Sequence, residues 1–254
     1  KISYMIEKFI YKNSNLINVL TPAFFKILNK NKNVDKNKLI MIPNSADFDL
    51  VEKVSMNFNK NTFRIKNNLY DKFVITYVGA HGLANNLQQI LDVAILLKDT
   101  EVIFLLIGEG MEKQKLIDFK NHNKINNIRF IDSVPKKDVF KYILSSNMGI
   151  SVLKKVDTFK TIYSNKTFDY MSCKIPIIML IDGISRELIE KSDAGFFVEP
   201  ENTKRLNEVI RHCIKNPNEL IAKGLNGYNY AKKNFDRKIL AKKYIRLILN
   251  KLSK

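Results

Sequence analysis

The chain has no tryptophan, two cysteines, six prolines and nine glycines in 254 residues. Each shortage excludes something. Two cysteines, Cys173 and Cys213, cannot build the framework of a small secreted scaffold. Cys173 falls on an apolar helical face and reads as a small buried thiol, which fits a reducing, cytoplasmic setting. So few prolines and glycines, with no low-complexity tract, exclude a chain dominated by disorder. No apolar run approaches the about 18 residues that a membrane span needs. The longest, "VIFLLIG" and "IPIIMLI", have the length of strands. Acidic residues are scarce too, 25 against 43 basic ones, for a net charge of +18.

The lysines are scattered through helices and loops, as at Lys30, Lys32, Lys36 and Lys38, then Lys232, Lys233 and Lys238. A compositional bias toward Lys, Asn and Ile, of the kind an AT-rich genome imposes, gives such an excess without any partner. Attraction to an anionic membrane surface or to nucleic acid gives it too. No recognition helix, zinc finger or RNA-stacking motif is present, so nucleic acid is not the expected partner. The chain begins at Lys1 without an initiator methionine or a signal-peptide pattern, and reads as part of a longer protein.

What the sequence does contain is alternation. Six short apolar runs read as strands: Phe73–Gly79, Val102–Gly108, Ile128–Asp132, Met148–Leu153, Ile175–Leu180 and Gly195–Glu199. They are nearly continuous in apolar residues, the signature of strands buried on both faces of a parallel sheet. Helical patterns separate them: Asn86–Lys98, Glu112–Lys120, Lys137–Ser145, Asn165–Cys173, Ser185–Lys191 and Thr203–Lys215. The expected fold class is therefore α/β, a doubly wound parallel-sheet, Rossmann-like domain over residues 73–234. Its last helix runs from about Asn218 to Asn234.

The flanks differ. Residues 1–42 suggest a helix (Ser3–Lys12), a strand "LINVL", a helix opening at "TPAFFKIL" with Thr21 as N-cap, and a strand "KLIMIP". Two strands and two helices cannot bury a complete core, so this reads as the tail of a second Rossmann-like domain. Residues 43–72 read as hinge and linker. Residues 235–254 read as a C-terminal helix, Arg237–Leu252, whose apolar side suits core packing or crossing to the other domain better than lying on a membrane.

In a parallel sheet, ligands bind beyond the carboxyl ends of the strands. After the first strand comes "GAHGLANN", where Gly79 and Gly82 allow a tight turn and close backbone approach to a phosphate. His81 between them reads as a solvated loop histidine unless it lines that site. The "GEG" turn at Gly108–Gly110 carries Glu109, which disfavours an anion there. After the fourth strand, Ser164 is placed to cap a helix with Lys166 in its first turn. A cation there is locally unfavourable unless an anion lies between it and the helix amides. Asp169, one turn on, can accept hydrogen bonds from sugar hydroxyls. An ordinary surface i,i+3 Lys–Asp pair explains the spacing equally well.

Five segments in order, "MIPNSADFD", "YVGAHGLANNLQQILDVA", "FLLIGEG", "SNKTFDYMSCKIPII" and "AGFFVEPEN", together resemble family-four glycosyltransferases of the GT-B fold. The closest likeness is to bacterial transferases of capsule, O-antigen and lipid-linked sugar assembly, which include amino-sugar transferases. The resemblance implies that residues 73–234 bind a nucleotide-sugar donor, with UDP-sugars favoured. The acceptor, a glycan or polyprenyl-linked sugar, then belongs to the N-terminal domain. Pro43, Asn44 and Asp47 match the family's hinge, with Ser45 in place of its glycine. It further implies that Gly79 and Gly82 lie beside the donor phosphates, with His81 and Ser164 as further candidate donor-binding residues. Lys166 contacts the diphosphate as the catalytic cation, and Asp169 stands where a family glutamate binds the ribose. Thr161 occupies the position of the family's first glutamate, so sugar contacts shift to backbone near Lys160–Ser164.

The implied chemistry retains anomeric configuration. With no Asp-x-Asp outside the hinge's "DFD", it uses neither metal nor other cofactor. This chain alone should be inactive, at a cytoplasmic site or the inner membrane face. Two other readings stay open: a sugar-nucleotide 2-epimerase of the same fold, and a non-enzymatic basic binding module.

Overall fold

A computed structural model describes residues 2–252. The amino-terminal segment contains α1 (Ile2–Asn13), β1 (Ile17–Val19), α2 (Pro22–Lys26) and β2 (Leu39–Met41). The Thr21 hydroxyl caps α2 by accepting from the Phe24 N–H at 3.1 Å, and Pro22 fills the first helical position. A π-helical turn, Ile27–Asn31, extends it. β1 and β2 pair in parallel over a small cluster of Val19, Leu28, Val34 and Leu39. α1 buries no residue; Ile2, Met5, Ile6 and Phe9 are exposed along it.

Two helices follow that the sequence patterns did not suggest, α3 (Phe48–Met56) and α4 (Lys60–Lys66). Each begins at a side-chain cap: Asp47 accepts from the Leu50 N–H and Asn59 from the Thr62 N–H. Residues 43–72 are therefore largely helical. The remaining elements alternate: β3 (Phe73–Val78), α5 (Gln88–Leu96), β4 (Val102–Ile107), α6 (Lys113–His122), β5 (Ile128–Ile131), α7 (Lys136–Leu144) and β6 (Met148–Val152). Then come α8 (Asn165–Ser172), β7 (Ile177–Leu180), α9 (Ile184–Ser192), β8 (Gly195–Phe197), α10 (Thr203–Lys215), α11 (Pro217–Asn234) and α12 (Arg237–Leu252). All six expected strands form, in a parallel sheet of order β5-β4-β3-β6-β7-β8.

Period-two alternation puts two cores on the two faces. Ile75, Tyr77, Ile150, Val152, Ile178 and Leu180 pack on one side with α5 and α10 residues such as Ile90, Leu91, Leu206 and Ile210. Ile177 and Met179 pack on the other with Phe140, Phe168, Met171, Ile189 and Ala231. Both faces are covered, which explains why the strands read as unbroken apolar runs.

The chain then returns toward the hinge. The Ala46 N–H donates to Phe235 O at 2.8 Å, and the Arg237 N–H to Ala46 O at 3.1 Å. Asp47 pairs with Arg237 and Asp49 with Lys238. Beyond this junction α12 does not pack on the core of this chain: Leu240 is buried, but Ile239, Tyr244, Ile245 and Leu249 are exposed, which leaves the other half of the expectation, crossing to a second domain. Residues 253 and 254 of the expected C-terminal segment, with Lys1 of the amino-terminal one, lie outside the described residues.

Candidate active site

The sheet order reverses between β3 and β6, the topological switch point at which α/β sheets bind ligands. These two strands pair only through Ile75–Met148 and Thr76–Gly149 and part beyond. Tyr170, from α8, fills the split. Its ring lies where a Gly149 Cβ would stand, within 2.5 Å of that point, so a side chain at 149 would expel it. Its hydroxyl accepts the Val78 N–H at 3.2 Å and donates to Thr76 O at 2.9 Å, with Ile150 O at 3.3 Å. The parting strands thus keep their hydrogen bonds, and the crevice of a switch point is expected beyond their carboxyl ends.

Gly79 follows β3 with φ +144°, a backbone state that favours glycine. A Cβ there would lie 3.2 Å from both Lys166 Cε and the Tyr77 hydroxyl oxygen. Lys166, in the first turn of α8, therefore reaches across the crevice to the Gly79 turn. Its ammonium sits 4.8 Å from the Tyr77 ring centroid and 3.5 Å from Ser164 Oγ. No carboxylate lies within ion-pair distance of it among the described residues. Burial pushes this ammonium down from 10.5 to about 8, against the pull of Asp169.

Asp169 answers a different cation. Its Oδ2 pairs with Lys136 at the start of α7. Burial raises its carboxyl above the usual range, opposed by Lys136 first, then Arg237 and Lys166. The i,i+3 ion pair that spacing allowed between Lys166 and Asp169 does not form.

Ser164 corrects another expectation. It occupies the N-cap position of α8, but its hydroxyl makes no cap hydrogen bond. The hydroxyl is buried and turns instead to Ser151 Oγ at 3.3 Å and to Lys166. His81 corrects a third, because it is fully buried rather than solvated. Its N–H donates to Glu109 O at 2.8 Å and its carbonyl accepts from the Glu112 N–H at 2.9 Å, which fastens the β3 loop to the β4 loop. The ring packs edge-on to Phe130 with neither nitrogen hydrogen-bonded. Burial first and Lys113 second push it down to about 4, so it is neutral at pH 7.

Thr161 closes a 3₁₀ turn, Asp157–Thr161. Its hydroxyl donates to Thr158 O, and its carbonyl accepts the Thr21 hydroxyl at 2.8 Å. The Thr161 side chain is thus satisfied within its own turn, while its backbone ties the amino-terminal segment to the crevice wall. Gly82 opens another 3₁₀ turn, Leu83–Asn85, where a Cβ would meet only Asn85 Nδ2 at an ordinary contact distance of 3.7 Å.

Gly79, Ser164 and Lys166 therefore meet at the switch point, Asp169 turns to Lys136, His81 is enclosed against the β4 loop, and Thr161 is tied to Thr21 through its backbone. The sequence reading missed Lys136 and Tyr170, and saw Thr21 as a helix cap but not as the tie to Thr161. Lys136 carries the same signal that singled out Lys166, a lysine where a helix N-terminus disfavours one.

A doubly wound parallel sheet with a glycine turn and a cation at its switch point is the architecture of the nucleotide-binding class of α/β domains, whose ligands bind beyond the carboxyl ends of the strands. The chain belongs to the family described as Glycosyl transferases group 1, whose profile matches residues 59–234. No curated protein matches it. Among solved structures it is similar to sucrose-phosphate synthase from Thermosynechococcus elongatus, with TM-score 0.79 and 18% identity over 98% of this chain and 61% of that one. It is similar to Anabaena HepE in complex with UDP, with TM-score 0.81 and 14% identity over 95% of this chain and 65% of that one. It is also similar to a glycosyltransferase from Rickettsia africae, with TM-score 0.82 and 15% identity over 96% and 67%. At these identities the likeness establishes the GT-B glycosyltransferase fold. The chain spans under two thirds of the first two structures' length.

Proposed function

We propose that this chain holds the nucleotide-sugar donor of a retaining glycosyltransferase, with UDP-sugars as the favoured donors and a glycan or polyprenyl-linked sugar as acceptor. The observation that carries the reading is Lys166: a buried ammonium, lacking a carboxylate partner, facing a glycine turn at the switch point. A cation made costly by burial and left without a counter-charge is complementary to an anion that arrives from outside. HepE is described in complex with UDP and with UDP-glucose, and a nucleoside diphosphate supplies such an anion here.

In this reading Lys166 and the first-turn amides of α8 stabilise the diphosphate as the bond to the sugar breaks, without a metal ion. The negative charge that develops on the leaving oxygen meets a cation already in place. Asp169 accepts from a ribose hydroxyl, and Gly79 lets the phosphates approach the backbone. His81, neutral and enclosed, supports the Gly79–Gly82 turn rather than touching the donor. An epimerase needs a free acid–base pair. The chain offers an Asp169 tied to Lys136 and a histidine without solvent contact, which favours transfer. Acceptor chemistry falls to a partner domain, and the basic surface suits an anionic membrane face. No helix among the described residues is long and apolar enough to cross a membrane.

Calorimetric titration with UDP, GDP and their sugars tests the proposal. Binding that is lost in Lys166→Ala and weakened in Asp169→Ala is the expected result. No heat with any of them sinks it.

A further inference from the structure

Lys136 opens α7 directly after Pro135. At that position a lysine opposes the helix dipole, and the first-turn carboxylate of α7, Asp138, pairs with Lys141 instead. Its ammonium lies 5.1 Å from the Phe140 ring centroid and reaches α8 to pair with Asp169 Oδ2. The lysine side chain is 47% exposed and the aspartate 13%, so the pair spans from solvent to interior at the crevice edge. Asp169 Oδ1 accepts no hydrogen bond among the described residues, and it is not sealed from solvent. One carboxylate oxygen is tethered and the other is left without a hydrogen-bond partner among the described residues.

We propose that Lys136 is a positioning residue for the donor, fixing Asp169 through one oxygen so that the other is presented, ionised, to a sugar hydroxyl of the bound nucleotide. This rests on the donor-site reading above. The charged and titratable groups acting on Asp169 come from three elements. Lys136 belongs to α7 and Arg237 to the first residue of α12. Lys166, Tyr170 and Cys173 lie in or just after α8. Arg237 is already engaged by Asp47 and Lys166 faces Gly79, so among the described residues Lys136 is the one cation hydrogen-bonded to the carboxylate. Without it, burial dominates and the carboxyl holds its proton to higher pH. A protonated Asp169 donates where it should accept.

The test uses Lys136→Met and Lys136→Arg. UDP and GDP affinity is measured by calorimetry from pH 5.5 to 8, alongside carboxyl-carbon NMR of Asp169. The expected result is that Lys136→Met binds more weakly, with a deficit that grows as the pH falls. The Asp169 midpoint moves up, and Lys136→Arg restores both. Taking the ratio to the wild-type chain at each pH cancels the titration of the nucleotide itself. Unchanged affinity in Lys136→Met overturns the proposal while leaving the donor site intact. A pH-independent loss with a lower melting temperature, not rescued by arginine, overturns it as well, by making Lys136 a structural prop. If the wild-type chain binds neither nucleotide, the donor-site reading falls and this one with it.

Discussion

Replacing Lys166 by methionine separates what this residue does for binding from what it does to stability. The ammonium titrates at about 8 in the folded chain and at 10.5 when unperturbed. At about 1.4 kcal/mol per tenfold change, keeping it charged below pH 8 costs the fold about 3 kcal/mol as an upper bound. The side chain as a whole is only half-buried, which reduces that to about 1–2 kcal/mol. Methionine has similar length and no charge, so Lys166→Met should be more stable than wild type at pH 7 by about 1 kcal/mol in urea denaturation. Between pH 8 and 10.5 the unfolded chain holds a proton that the folded chain has released, so wild-type stability gains with rising pH in that window. The variant lacks this group, and its advantage should vanish by about pH 10.5. Binding should move the opposite way. Charge-assisted contacts contribute about 1.5–3 kcal/mol, so UDP affinity should fall about 10- to 150-fold. Wild-type affinity should itself decline as pH rises through about 8. A variant that is destabilised at pH 7, or one that binds UDP as well as wild type, refutes the assignment of Lys166 to an external anion.

Gly79→Ala forces a side chain into φ +144° against Lys166 and Tyr77; calorimetry should show weakened nucleotide binding, and denaturation a loss of about 1–3 kcal/mol. Tyr170→Phe removes the hydroxyl that serves Val78 and Thr76 in the strand split; stability should drop by about 1–3 kcal/mol, with nucleotide affinity lowered because Gly79 follows Val78. Thr21→Val loses both the α2 cap and the hydrogen bond to Thr161; a loss of about 1–2 kcal/mol is expected, and greater protease sensitivity around residues 157–164 would show the tie is broken.

The sheet was legible because its strands are buried on both faces, so composition alone marks them, and the six runs match the six strands to within a few residues. α3 and α4 were not legible. They are short, and of their residues Phe48, Val51 and Arg64 alone are buried. Their one local signal is the cap pair Asp47 and Asn59. His81 reads as exposed from its polar, glycine-flanked setting; its burial comes from the β4 loop, which no local pattern reports. Lys166 and Asp169 were found by position after a strand, while their separate partners depend on α7 and on the β3 turn. The apolar side of α12 predicted burial, yet after Leu240 that side faces outward. Periodicity reports that a helix has an apolar face, and it does not report what covers it.

The net charge of +18 is a poor guide to this site, and a salt titration shows why. Many of the basic groups lie on the surface in ion pairs, such as Lys155 with Glu199, Arg211 with Asp99 and Lys223 with Asp193. Unpaired surface cations are screened beyond about 8 Å at physiological salt. Lys166 is partly desolvated, beside an uncharged tyrosine ring, where screening acts least. If one such cation with α8 amides holds the ligand, UDP affinity should fall by less than about fivefold between 50 and 200 mM salt, a slope of at most one counterion. A dispersed basic surface gathering a polyanion loses about 10³–10⁵ over the same range. A steep slope for UDP, equal to that for generic DNA, would move the binding off Lys166 and onto the surface, and the switch-point crevice would lose its claim to the donor.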